Sequence, residues 1–115
     1  PRTVCAVMTA DCLPILITNT QGTVVAAIHG GWRSLAKNII ANTLSQMPSS
    51  LNSPWLAWFG PAIGPKAYEV SEEVLASFES HLHHAFQRID EKPNHYLLDM
   101  YHLASIQLSD CGVTN

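Results

Sequence analysis

Apolar and polar positions along the chain fall into blocks of two periods. Residues 3–8, Leu13 to Thr18 and Thr23 to His29 are short runs rich in Val, Ile, Leu and Ala, the composition of strands buried on at least one face. Asn19-Thr20-Gln21-Gly22 separates the second run from the third. Gly22 suits a left-handed backbone position there, so the two runs read as a β-hairpin. After Gly30-Gly31 the period changes. Leu35, Ala36, Ile39, Ile40, Leu44 and Met47 recur at helical spacing, predicting an amphipathic helix over residues 32–47 that Pro48 stops.

Trp55 to Phe59 reads as another buried strand, followed by the stiff loop Gly60-Pro61-Ala62-Ile63-Gly64-Pro65. Ser71 is placed to cap a helix with Glu72 and Glu73 in its first turn and Val74, Leu75, Phe78, Leu82 and Phe86 facing inward. Tyr96 to Leu98 reads as a short strand. Asp99 then caps a last helix whose inner face is Leu103, Ala104, Ile106 and Leu108, with Gly112 closing it and Val113 opening a further strand. Strands alternating with helices after an opening hairpin predict an α/β fold with a mixed sheet.

The hairpin carries a geometric expectation. If Asn19 to Gly22 is a four-residue loop, Thr18 pairs with Thr23, and continuing that register sets Cys12 opposite His29. Their Cβ atoms would then be about 4.5–5.5 Å apart on one face. A thiolate and an imidazole so placed can share a metal ion, or one can deprotonate the other. Each residue alone has a plainer reading, a buried small thiol or a hydrogen-bonded structural histidine, and two protein ligands are fewer than the three a catalytic zinc takes. Around the pair, Asp11 could orient His29, accept a proton or cap the local turn. Gly30-Gly31 lets a ligand approach the backbone. The helix start at Trp32, with Arg33 in its first turn, offers an anion such as phosphate N–H groups and a fixed charge.

Composition narrows the setting. At 115 residues, 47% hydrophobic and 13% charged, the chain has enough apolar content for one globular domain. No run is long enough to span a bilayer or resembles a signal peptide, so no membrane role is expected. A formal net charge of −3 without a basic cluster gives no footprint for nucleic acid. Three cysteines, Cys5, Cys12 and Cys111, are too few and too odd for a disulfide framework and fit a cytoplasmic setting. The chain opens and closes on the verge of apolar runs, and is read as part of one longer domain lacking N- and C-terminal parts.

Thr9-Ala10-Asp11-Cys12-Leu13-Pro14 and His29-Gly30-Gly31-Trp32-Arg33 resemble the T-A-D-C-x-P and H-A-G-W-R-G signatures of the YfiH-like family, the polyphenol-oxidase laccase domain. Gly60 to Pro65 with Tyr68-Glu69-Val70 is similar to its G-P-x-I-x-x…[YF]-E-V segment, and Leu98-Asp99-Met100 with Gly112-Val113 to its L-D-L…G-V stretch. The resemblance runs in order over nearly the whole chain. It implies a layered αββα arrangement, and zinc held by Cys12, His29 and a third histidine from an upstream segment. It also implies purine nucleoside phosphorylase activity, with adenosine deamination and methylthioadenosine cleavage.

Three departures are visible: Gly30 stands for alanine, Ser34 for glycine, and Ala104 where an asparagine is common. Two other readings share the Cys12/His29 pair: copper-dependent phenol oxidation, and a metal-free Cys/His hydrolase acting on peptidoglycan-type amides. Copper binds such ligands well, but oxidation of phenols at several copper sites needs paired His-x-His motifs that this stretch lacks. His81-Leu82-His83-His84 reads as a solvated helix end. Trp55, Trp58 and Phe59 read as sheet core, with one ring available to stack on a purine. Tyr68 and Glu69 could wall a pocket.

Overall fold

The computed structural model describes residues 4–47 and 54–113. The fold is α/β, with two three-stranded sheets. The first, in spatial order β2-β1-β3, contains β1 (Leu13–Asn19), β2 (Val25–Gly30) and β3 (Trp55–Phe59). The second, β4-β6-β5, contains β4 (Glu69–Ser71), β5 (Phe86–Arg88) and β6 (His95–Leu98). The expected mixed sheet resolves, among the described residues, into two sheets whose pairings are all antiparallel. Residues 4–8 form no strand, and Val4 and Met8 are 88% and 92% exposed, opposite to the buried strand their composition suggested.

The hairpin register also differs from the expected one. Pro14 pairs with His29 and Thr18 with Val25, a two-residue shift. The cause is Asn19, whose side chain is buried and organises the loop. Its Oδ1 accepts from Thr23 N–H at 2.8 Å and Val24 N–H at 3.4 Å, while Nδ2 donates to Thr23 Oγ1 at 2.6 Å. Those bonds hold Thr23 and Val24 in the loop, so the second strand starts at Val25. Gly22 adopts φ 69°, the left-handed conformation its type predicts.

One face of the first sheet packs against helices. Ile15, Ile17 and Ile28 join Leu35, Ile40, Leu103 and Leu108 in a core that also takes in Val74, Phe78, Leu82 and Leu98. The long helix expected over 32–47 is two helices, α1 (Trp32–Ala36) and α2 (Ile39–Gln46), broken where Asn38 takes φ 62°. Asparagine tolerates that conformation better than most residues. The Pro48 stop lies outside the described residues.

The helix expected from Ser71 to Phe86 is also divided. It comprises α3 (Glu72–Ala76), a turn, and a 3-10 helix Ser80–Ala85 before β5. His83 Nε2 lies 3.0 Å from both Leu75 O and Phe78 O, so it donates to carbonyls that a continuing helix would pair with its own N–H groups. Ser71 precedes α3 but makes no side-chain cap. By contrast, α4 (Met100–Asp110) starts as predicted, with Asp99 Oδ1 accepting from His102 N–H at 3.1 Å. It ends on Gly112 at φ 84°, with Val113 N–H bonded back to Leu108 O. Cys111 is exposed at this helix end.

The opposite face of the first sheet is open and apolar. Leu16, Val25, Leu56 and Trp58 are 44%, 55%, 38% and 61% exposed, so Trp58 is not the core residue its position suggested.

Candidate functional site

The Cys12/His29 pair is assembled by the start of β1 and the end of β2. Cys12 lies in the bend before β1, and its thiol sits against Gly31, where an added Cβ would stand 3.2 Å from Sγ. Gly31 is extended at φ −87° and ψ 167°, so the face on which that Cβ would project is the His29 face. The observed register thus keeps the two residues on one face but makes them diagonal rather than directly opposite. Such neighbours are about 7–8 Å apart at Cα. The face is the open one that carries Leu16 and Trp58.

Both donors are accessible, His29 exposed and Cys12 half-buried. No hydrogen bond joins Cys12 Sγ to His29 among the described residues, and no group of three or more His, Cys, Asp or Glu there could hold a metal ion. A soft thiolate and an imidazole are nonetheless the donors zinc prefers. The cradle left by Gly31 gives the sulfur room beside them. The residues present fit two positions of a zinc site.

Three other residues converge here. Tyr68 is half-buried; burial raises its hydroxyl pKa, the nearby Cys12 sulfur raises it further, and Arg33 opposes both. Its phenol is therefore held protonated within electrostatic reach of thiol and guanidinium. Sequence reading left Tyr68 between pocket wall and packing, because a tyrosine after a rigid loop serves either role. The guanidinium of Arg33 stacks over the Trp32 ring at 4.7 Å and has no ion-pair partner among the described residues. The helix start expected to support an anion beside it is only five residues long, which leaves Arg33 as the main positive feature.

Asp11 contributes its backbone: its carbonyl accepts from Ile63 N–H at 2.9 Å. Among the described residues its carboxylate has no hydrogen-bond or ion-pair partner, His29 included. The loop so attached is held at other points. Gly60 N–H donates to Pro14 O at 2.9 Å, and Tyr101 Oη donates to Gly60 O while accepting from Ala62 N–H. Phe59 packs on the Tyr101 ring at 5.9 Å. Ala104, at the position where an asparagine was expected to matter, is fully buried in the core. The histidine cluster is only partly solvated: His81 pairs with Asp110 at 2.7 Å and His83 is half-buried.

Comparison with known proteins gives consistent matches. The family model for multi-copper polyphenol oxidoreductase laccase matches residues 1–115. The chain is 46% identical over 116 residues to the Shigella flexneri protein named purine nucleoside phosphorylase YfiH, covering 98% of this chain and 46% of that one. The Escherichia coli K12 protein of the same name is 46% identical over 113 residues, with the same coverage. Among solved structures, Neisseria meningitidis protein NMB0706, of the DUF152 family, superposes with a TM-score of 0.86 at 39% identity, covering 94% of this chain and 45% of that one. The chain spans about half the length of the curated relatives it matches.

Proposed function

Because the chain belongs to the multi-copper polyphenol oxidoreductase laccase family, we propose that it supplies the Cys12 and His29 ligands of a zinc-dependent purine nucleoside phosphorylase. The third ligand comes from an upstream segment of the same domain, as the resemblance implies. The observation that carries this reading is the placement of Cys12 and His29 on one open face, with Cys12 and the Arg33 guanidinium both acting on Tyr68. The names of the relatives support the choice of substrate, a purine nucleoside with phosphate. Adenosine deamination and methylthioadenosine cleavage are further activities of the same site, and the cytoplasm is its setting.

In phosphorolysis a phosphate oxygen bonds to the ribose C1′, the bond from C1′ to the purine nitrogen breaks, and the departing base takes that electron pair and the proton given up by the phosphate P–OH. Arg33 holds the phosphate, its charge fixed by stacking on Trp32. The protonated Tyr68 hydroxyl donates a hydrogen bond into the space between Arg33 and Cys12. Zinc, when bound by Cys12 and His29, supplies Lewis acidity for deamination at adenosine C6.

The family description favours copper as the second reading, with the same two ligands. The metal-free dyad ranks below both, because among the described residues no hydrogen bond links thiol to imidazole. Metal analysis of the protein, with inosine and adenosine phosphorolysis assays, separates the three. About one zinc per chain, lost together with phosphorolysis in Cys12→Ala and His29→Ala, is the expected result. Stoichiometric copper, or full activity after both substitutions, would overturn the proposal. Arg33→Ala should raise the KM for phosphate at least about tenfold; an unchanged phosphate dependence would remove Arg33 from the scheme.

A further inference from the structure

A second group of polar side chains converges away from Cys12, His29 and Arg33. A cleft of about 250 Å³ lies between the end of the Gly60–Pro65 loop, the close of the 3-10 helix, the second sheet and the start of α4. Lys66, His84, His102 and Asp99 line it, with Gln87 at its side. Lys66, His84 and His102 are exposed, and their side chains have no hydrogen-bond or ion-pair partner among the described residues. With the histidines neutral, Lys66 and Asp99 cancel in formal charge, so what marks the cleft is three side chains with unpaired N–H groups gathered around one carboxylate. The ammonium is charged at neutral pH, and each imidazole presents an N–H in either tautomer.

The one carboxylate in the lining is informative. Asp99 uses Oδ1 to cap α4, and its other carboxylate oxygen has no partner among the described residues. A carboxylate among donors repels an oxyanion unless the anion itself carries a hydrogen to donate. Inorganic phosphate retains a P–OH at neutral pH. Sulfate carries none, and a phosphate monoester, with its second pKa about 6, has mostly lost its own. The cleft has room for phosphate with some of its water, at about 30 Å³ per water molecule.

We propose that this cleft is a binding site for inorganic phosphate, with Lys66, His84 and His102 donating to its oxygens and Asp99 accepting from its P–OH. The site selects by the unpaired acceptor it presents to any other oxyanion. It is separate from the phosphate position assigned to Arg33, and binding here needs neither nucleoside nor metal.

The test is titration of the chain with inorganic phosphate, sulfate and methyl phosphate at matched ionic strength and pH 7.5, following the ring-proton NMR signals of His84 and His102. Phosphate should shift both in a saturable way, with sulfate and methyl phosphate at least about tenfold weaker, since a site built around a hydroxyl rejects analogues that lack it. Lys66→Ala should weaken phosphate about tenfold. Asp99→Asn keeps a good cap and should bring the phosphate-to-sulfate ratio to about one. Arg33→Ala should leave these shifts unchanged. Absence of saturation, equal affinity for sulfate in the unaltered chain, insensitivity to Lys66→Ala, or loss of the shifts in Arg33→Ala would each overturn the proposal.

Discussion

Replacing Asn19 by alanine tests what sets the hairpin register and, through it, the relation of Cys12 to His29. The side chain is 4% exposed and makes two short hydrogen bonds within the loop, at 2.8 and 2.6 Å, and one long one at 3.4 Å. Each short bond contributes roughly 0.5–1.5 kcal/mol net. Thr23 is exposed, so water can partly satisfy the N–H that loses its partner. The expected loss is about 2 kcal/mol. With an unfolding entropy near 2.1 cal/mol/K per residue over 115 residues, that corresponds to a fall in Tm of about 8 °C. Thermal unfolding followed by circular dichroism measures the loss. Cross-strand proton contacts between Pro14 and His29, and between Thr18 and Val25, report the register. A fall of less than about 2 °C with both contacts intact would show that the strands themselves fix the pairing.

Three further predictions bear on other parts of the molecule. Gly31→Ala puts a methyl 3.2 Å from Cys12 Sγ, so cobalt(II) affinity, read from thiolate-to-cobalt absorption in the metal-binding protein, should drop about tenfold while stability changes by less than about 1 kcal/mol; unchanged affinity would remove the cradle from the site. The Glu69 carboxyl is held below its ordinary value of 4.5 by hydrogen bonding to Lys92, with His95 adding to the effect. Its contribution is therefore present above that ordinary value and lost as pH falls through the lowered one, so the urea-midpoint difference between Glu69→Gln and the unaltered chain should shrink progressively as pH is lowered below the ordinary value; equal differences at pH 6 and pH 3 would refute it. Trp58, 61% exposed on the open apolar face, should drive self-association of this 115-residue chain, and Trp58→Ser should reduce the sedimenting oligomer and dye binding; identical sedimentation would show that the face is inert.

The elements were legible where short-range chemistry decides them. Trp55 to Phe59 is a strand with the bounds its composition indicates, Asp99 caps α4, and Gly22 and Gly112 take the positive φ their type permits. Elements set by a side chain bonding to backbone, or by a non-glycine residue in the left-handed conformation, were not legible. Asn19 lengthens the loop, Asn38 interrupts the helical stripe, and His83 takes carbonyls that a helix would need. β4 and β5 have three residues each, too few to show a period. For the site, the motifs brought Cys12, His29 and Arg33 to attention, and the fold places them near one another with Tyr68. The diagonal offset could not be read in advance, because it depends on a carboxamide seven positions from Cys12 and ten from His29.

The Tyr101 phenol bears on the order in which the molecule assembles. It joins α4 to the backbone of Gly60 and Ala62 across 41 and 39 residues of sequence, and Gln107 reaches Leu35 across 72. Contacts that close such long stretches of chain form slowly, after the hairpin has gained its local bonds. The loop attached to the Asp11 carbonyl is therefore fixed only once the last helix docks. A polypeptide still lacking α4 would already hold Cys12 and His29 in its hairpin, yet leave the wall beside them unformed. Completion of the site's surroundings is thus a late folding event, timed by a residue that need not touch any ligand.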